Sequence, residues 1–287
     1  MRAATDHYII HSEQTTNNRT GTYVGGKELL IDTDFGRHKH AIRIGTIHTL
    51  PLSISDTYIN NVKLEIGDKV VIHHFVIQPE NKIANQGNLY LCKYLFIYAV
   101  IKDNEIMPIE DLIFVEPMEE TDEDTTKGGF TLKTEKAGKV RQKGKVFACS
   151  KRAREMGIMP TDIVYFTSHG DYKINIVGHD LYRMKIRNII AVERNGELEC
   201  MNGRILVEVG VPSETTISEN DKFSMPKFGS SIVGRIEKLP KGVNSVEVGQ
   251  IINYANCLGN EQITHKGKTL TFVQETNINY FYESQAN

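Results

Sequence analysis

Two stretches of this chain repeat one another. Residues 96–117 read FIYAVIKDNEIMPIEDLIFVEP, and residues 188–209 read NIIAVERNGELECMNGRILVEV. Aligned without gaps at an offset of 92, they share seven identities: Ile97 with Ile189, Ala99 with Ala191, Val100 with Val192, Glu105 with Glu197, Ile113 with Ile205, Val115 with Val207 and Glu116 with Glu208. Each block reads as a strand, a tight turn at Asp103-Asn104 or Asn195-Gly196, and a second strand. A fixed period of this kind marks a repeated structural unit. It sets module boundaries near 102 and 194 and divides the 287 residues into 1–102, 103–194 and 195–287. Each piece is the size of a small domain.

The local signal is β throughout. DHYIIHS, HAIRIGTI, DKVVIHHFVI, NLYLCKYLFIYAVI, DLIFVEP, GKVFAC, DIVYFTS, NIIAVE, GRILVEV, QIINYAN, KTLTFVQ and INYFYE are rich in β-branched and aromatic residues and are separated by turn residues. Only SKRAREMG, 150–157, predicts a helical turn. The fold class is all-β, built of small barrels or sandwiches. Every module follows one order: a strand, a long polar segment (12–40, 118–142, 210–230), a strand headed by basic or small residues, a turn and strand, a hairpin, and a last strand. Unstructured loops of that length are uncommon in compact domains and are usually functional or disordered.

The polar segments carry small apolar plugs. In the second, the acidic run EETDEDTT precedes Gly128, Gly129, Phe130, Thr131 and Leu132. In the first, Gly25 and Gly26 precede Leu29, Leu30 and Ile31 in GGKELLID. Consecutive apolar residues in a polar loop suggest a site that needs a partner, although KELLID also reads as an ordinary hairpin strand. The third segment lacks the glycine pair. Its plug is Phe223 and Met225, interrupted by Pro226, and scattered apolar surface residues are normal.

Composition excludes several classes. The net charge is −2 and the 34 Lys and Arg are spread along the chain, so there is no strong nucleic-acid footprint. No apolar run reaches the roughly 18 residues of a membrane span, and the start lacks a signal peptide's apolar core. Cys92, Cys149, Cys200 and Cys257 are far apart with no CxxC pairing, which predicts reduced thiols in a cytoplasm. The pairs His38/His40 and His73/His74 have no carboxylate or cysteine at metal-ligand spacing, and alternation along a strand accounts for neighbouring histidines. GGK at 25–27 lacks the rest of a phosphate loop, and no nucleophile motif such as GxSxG occurs. KAGKVRQKGK lacks interleaved aromatics and reads as a basic strand edge that guards against aggregation. The expectation is a non-enzyme with no catalytic residues, metal or cofactor.

The order of elements resembles the GroES co-chaperonin family. LEIGDKVVIHHF, 64–75, resembles that family's VKVGDIVIF segment, and VEVGQIINY, 246–254, is a weaker version. DLIFVEPMEETDEDTTKGGFTLKTEKAGKVRQKGKVFAC resembles its first strand, its mobile loop with a GGIVL plug, and its GEVLAVG strand. GGKELLIDTDF with HKHAIRIGTI is similar to divergent co-chaperonins of phage type. The resemblance implies three tandem small GroES-like β-barrels with long mobile loops and hairpins. It implies loops that order on a hydrophobic groove of a GroEL-like chaperonin ring, capping it in an ATP-dependent folding cycle with ATP bound by the partner. It further implies a homo-heptamer, without nucleic-acid or membrane partners, in a cytoplasm (the host's, for a virus). The rival reading is a structural β-barrel protein of a virion or other assembly. The related barrel of medium-chain dehydrogenases carries little weight, because nothing here supplies their nucleotide-binding domain.

Overall fold

The computed structural model describes residues 3–13, 22–24, 27–29, 44–55, 62–118, 142–167, 172–209, 231–255, 257, 260–266 and 268–282. Its first sheet is built from β1 (His7–His11), β4 (Ile44–Thr49), β5 (Lys69–Ile72), β6 (Leu89–Lys93), β7 (Ile97–Lys102) and β8 (Glu105–Pro108), in the order β6-β1-β4-β5-β7-β8. Two short strands, β2 (Thr22–Val24) and β3 (Lys27–Leu29), pair with each other. The second sheet contains β9 (Leu112–Pro117), β10 (Lys143–Cys149), β11 (Ile163–Phe166), β12 (Tyr172–Ile176), β13 (His179–Lys185), β14 (Ile189–Arg194) and β15 (Glu197–Cys200), in the order β12-β13-β9-β10-β11-β14-β15. The third has β16 (Arg204–Val209), β17 (Ser231–Lys238), β18 (Ile251–Ala255), β19 (Glu261–His265), β20 (Lys268–Gln274) and β21 (Ile278–Phe281), in the order β19-β20-β16-β17-β18-β21. One five-strand pattern therefore occurs three times: β6-β1-β4-β5-β7, β13-β9-β10-β11-β14 and β20-β16-β17-β18-β21. The protein is all-β with antiparallel sheets, and the modules are barrel-like sheets that do not close.

Several strand readings change. NLYLCKYLFIYAVI is two strands, because a 3-10 turn at Tyr94–Phe96 sends the chain from one side of the sheet to the other. The same turn recurs at Ile186–Asn188 and Glu275–Asn277. DKVVIHHFVI ends as a strand at Ile72. The hairpin of the second module is β12–β13, turned by Val177 and Gly178 at φ 50° and 84°. The repeated blocks hold three strands each. β8 and β15, which follow the boundaries at 102 and 194, hydrogen-bond into the sheets that precede them. Their turns require left-handed residues, and Asp103, Asn104, Asn195 and Gly196 take φ of 51° to 75°. The helical turn is α1 (Lys151–Glu155), where the Ser150 side chain accepts a hydrogen bond from the Ala153 N–H.

Contacts divide the chain into two compact units, 1–117 with 146–161 and 171–186, and 118–145 with 162–170 and 187–287. Each unit contains one junction between consecutive sheets. In the first unit, Val71, Tyr98 and Ala99 pack with Phe114, Ile174 and Leu181. The Arg183 guanidinium lies over the rings of Tyr98 (4.5 Å) and Tyr172 (4.9 Å). In the second, Tyr165, Ile190, Ala191 and Leu198 pack with Leu206, Leu270 and Phe272. There the hairpin residue Glu197 meets Lys266 (2.8 Å) and Lys238 (3.2 Å), which hold its carboxyl down at about 2. Strands at these junctions bury both faces. β7 sends Val100 into its own module's core and Ala99 into the junction. That is why IYAV and IIAV read as unbroken apolar runs and not as alternation.

A second repeat sits at the turn before the third strand of each pattern. Gly67, Thr161 and Gly249 have φ of 92°, 74° and 89°. Each donates its N–H over 2.8 Å, to the carbonyls of Ile47, Val146 and Ile236 respectively. Asp68 then pairs with Lys102 at 3.2 Å, and Asp162 with Arg194 at 2.6 Å. A β-branched residue in left-handed backbone is strained. Thr161→Gly should stabilise the protein by about 1 kcal/mol. Gly45→Ala and Gly234→Ala should each destabilise it by about 1–3 kcal/mol, since a Cβ there runs into Ile10 Cγ2 or Val207 Cγ1. Urea unfolding midpoints of the three variants check both signs.

Candidate functional site

The polar segments begin and end on neighbouring strands. β1 and β4 pair through Ile9–Thr49, Ile10–Ile47 and His11–Thr46. β16 and β17 pair out to Val209–Gly234. In the second module β9 and β10 are adjacent, and the Met118 N–H donates to the Lys143 carbonyl at 3.2 Å. Each segment is thus an excursion whose two ends are held together by a strand pair. The glycine at the root permits the approach: beyond the clash with Val207, a Cβ on Gly234 would sit 2.8 Å from the Glu208 carbonyl.

Of the residues marked by sequence, Leu29 is placed in β3, paired with Thr22. Gly25, Gly26, Leu30, Ile31, Gly128, Gly129, Phe130, Thr131, Leu132, Phe223 and Met225 lie outside the described residues. Among the described residues no three of His, Cys, Asp or Glu converge as metal ligands, and no helix is long and apolar enough to cross a membrane. The four cysteines are free thiols, and burial pushes Cys200 up to about 12.

The root of the second segment carries a charged cluster that sequence reasoning missed. Lys143 Nζ is 3.1 Å from Glu193 Oε2, the Tyr165 hydroxyl donates to the same oxygen at 2.8 Å, and Lys143 lies 5.0 Å from the Tyr165 ring centre. Lys143 was read as part of a basic strand edge, but β10 is an interior strand between β9 and β11. The register sets Lys143 opposite Tyr165 and Ile163 opposite Glu193, and this brings the three together. Burial alone would raise the Glu193 carboxyl and lower Lys143. Hydrogen bonds and charge within the cluster outweigh it, so Glu193 is held below and Lys143 above its ordinary range. In the third module the root residue Glu208 is likewise lowered, first by its hydrogen bond from Lys268 at 3.2 Å.

The adjacent histidines do not alternate along a strand. His73 and His74 lie beyond the end of β5, in a turn closed by the Val76 N–H to the His73 carbonyl at 3.0 Å. Their rings stack 4.3 Å apart, and His74 Nδ1 hydrogen-bonds with the Tyr172 hydroxyl. The turn ends the pleat, so successive side chains no longer point to opposite faces.

Residues 105–193 match the family described as Chaperonin 10 Kd subunit, about a third of the chain. The matched stretch begins at the first residue of β8, contains the second polar segment and its root, and ends inside β14. No curated protein matches the chain.

The Glu193 carboxyl is depressed in the folded state, so its contribution is present above the ordinary carboxylate range, about pH 4, and is lost as pH falls through its lowered value. Glu193→Gln should lower unfolding free energy at pH 7, and the gap from the wild type should shrink below about pH 4. Urea melts across that range test the sign.

Proposed function

We propose that this chain is a co-chaperonin: it caps a GroEL-like chaperonin ring through the apolar plugs of its polar segments and does no catalysis itself. The observation that carries the reading is that the stretch similar to chaperonin 10 subunits runs through the second polar segment, with Gly128-Gly129-Phe130-Thr131-Leu132 inside it. The paired roots in all three modules support it, because they present each segment from a fixed base. The contacts we assign are Phe130 and Leu132, then Leu29, Leu30 and Ile31 behind Gly25-Gly26, with Phe223 and Met225 contributing less.

The energetics suit a detachable contact. Burying Phe130 or Leu132 returns roughly 1.5–3 kcal/mol each. Ordering the loop costs about 1 kcal/mol or more per fixed residue. One loop binds weakly, whereas loops presented together gain avidity and each can still release. ATP belongs to the chaperonin in this scheme. The resemblance puts the assembly at seven chains in a cytoplasm, and a phage origin accords with the first module's style.

Size-exclusion with light scattering against a chaperonin double ring, with and without ATP, tests the reading. The wild type should co-elute only with nucleotide. Phe130→Ser/Leu132→Ser should weaken that binding at least about tenfold, and Leu29→Ser/Leu30→Ser/Ile31→Ser should do so less. Absence of binding in a chain that forms a stable oligomer overturns the proposal in favour of a structural β-barrel protein of a virion or other assembly. A free particle of other than seven chains overturns the count.

A further inference from the structure

Two grooves in this protein occupy equivalent places and differ in chemistry. The first, of about 340 Å³, is lined by the β7–β8 hairpin, the end of β10, α1 and the tip of the β12–β13 hairpin. The second, of about 350 Å³, is lined by the β14–β15 hairpin and the end of β17. Strand register relates them residue by residue. Glu105 pairs with Lys102 as Glu197 pairs with Arg194, so Met107 is the counterpart of Glu199. The Thr161 N–H reaches the Val146 carbonyl as the Gly249 N–H reaches that of Ile236, so Ala148 is the counterpart of Lys238. Val177 and Lys266 turn their hairpins at φ 50° and 49°, next to the pairs Ile176–His179 and His265–Lys268.

In the second groove the charges close on one another. Lys238 and Lys266 reach Glu197 at 3.2 and 2.8 Å, and Arg194 and Lys241 reach Glu199 at 3.0 and 3.7 Å. In the first, Ala148 and Val177 stand in the places of the two lysines and Met107 in that of Glu199, while the carboxylate is kept. Glu105 is exposed and makes no ion pair among the described residues. Arg154 of α1 lines the same groove, and it too is exposed without an ion pair among the described residues. Ile106, Met107, Phe147 and Val177 add apolar lining, and the Phe147 ring lies 4.8 Å from that of His179. A groove of this size with an apolar lining and a few charged groups has the make-up of a small-molecule site.

We propose that the first groove binds a small aromatic zwitterion of the α-amino-acid class. Its ammonium takes the place at Glu105 that Lys238 and Lys266 take at Glu197. Its carboxylate meets the Arg154 guanidinium, a fork that suits a planar anion. Its ring packs against Phe147, Met107 and Val177. The site goes beyond the capping reading and needs no chaperonin, so the two stand or fall separately.

The test is equilibrium titration of the full chain with tryptophan, tryptamine and indole-3-propionate, read by ligand fluorescence. The chain has no tryptophan of its own, so the indole signal belongs to the ligand. Tryptophan should bind saturably, one per chain, and about threefold or more tighter than tryptamine, which lacks the carboxylate, or indole-3-propionate, which lacks the ammonium. Glu105→Gln should erase the preference over indole-3-propionate, and Arg154→Gln the preference over tryptamine. Val177→Lys, which gives the first groove the lysine of the second, should abolish tryptophan binding. Urea midpoints of the three variants should stay near the wild type, because these side chains are exposed. Absence of saturable tryptophan binding, equal binding of the three probes, or binding that the variants leave unchanged overturns the proposal.

Discussion

The first and third modules each depend on one close approach. The strand that follows the polar segment crosses the first strand at a glycine, Gly45 against Ile10 and Gly234 against Val207. Pairing of the two strands ties together the ends of a segment of 20 residues or more, so the loop-closure cost is met inside the sheet. The same pairing orients the next turn, where Gly67, Thr161 and Gly249 reach back to the second strand. It also sets the register that brings Lys143, Tyr165 and Glu193 together at the second root.

The modules are joined by burial on both faces of the same strands. Ala99 and Ala191 are small where the following sheet approaches, while Val100 fills the module behind it. Hairpin strands β8 and β15 complete each junction, and the two differ in chemistry. The first is aromatic, with the Arg183 guanidinium over the Tyr98 and Tyr172 rings. The second is charged at its rim, where Lys238, Lys241 and Lys266 meet Glu197 and Glu199. Surface ion pairs of this kind add little stability, so the apolar residues beneath them hold the second junction.

Much of this was legible in one dimension. Two blocks at an offset of 92 marked the repeat, and both contain the same hairpin turn with residues that tolerate left-handed backbone. The helical turn at 150–157 and the β character of nearly every segment followed from composition and local pattern. The β12–β13 hairpin was seen only as a hairpin-like segment. β15 and β19 were not read as strands, because ELEC and EQITH carry little β-branched signal and gain their pairing from neighbours. The stacking of His73 on His74 was hidden because a turn, not a pleat, sets their directions.

The amino-acid sequence alone determined the class, the repeat and the place of the long polar segments, because these rest on residue preferences and spacing that act over a few positions. The tertiary structure alone decided which strands are neighbours, and that β8 and β15 stay with the sheet before them. Those outcomes rest on pairings between residues tens of positions apart, where burial on two faces and register outweigh local preference.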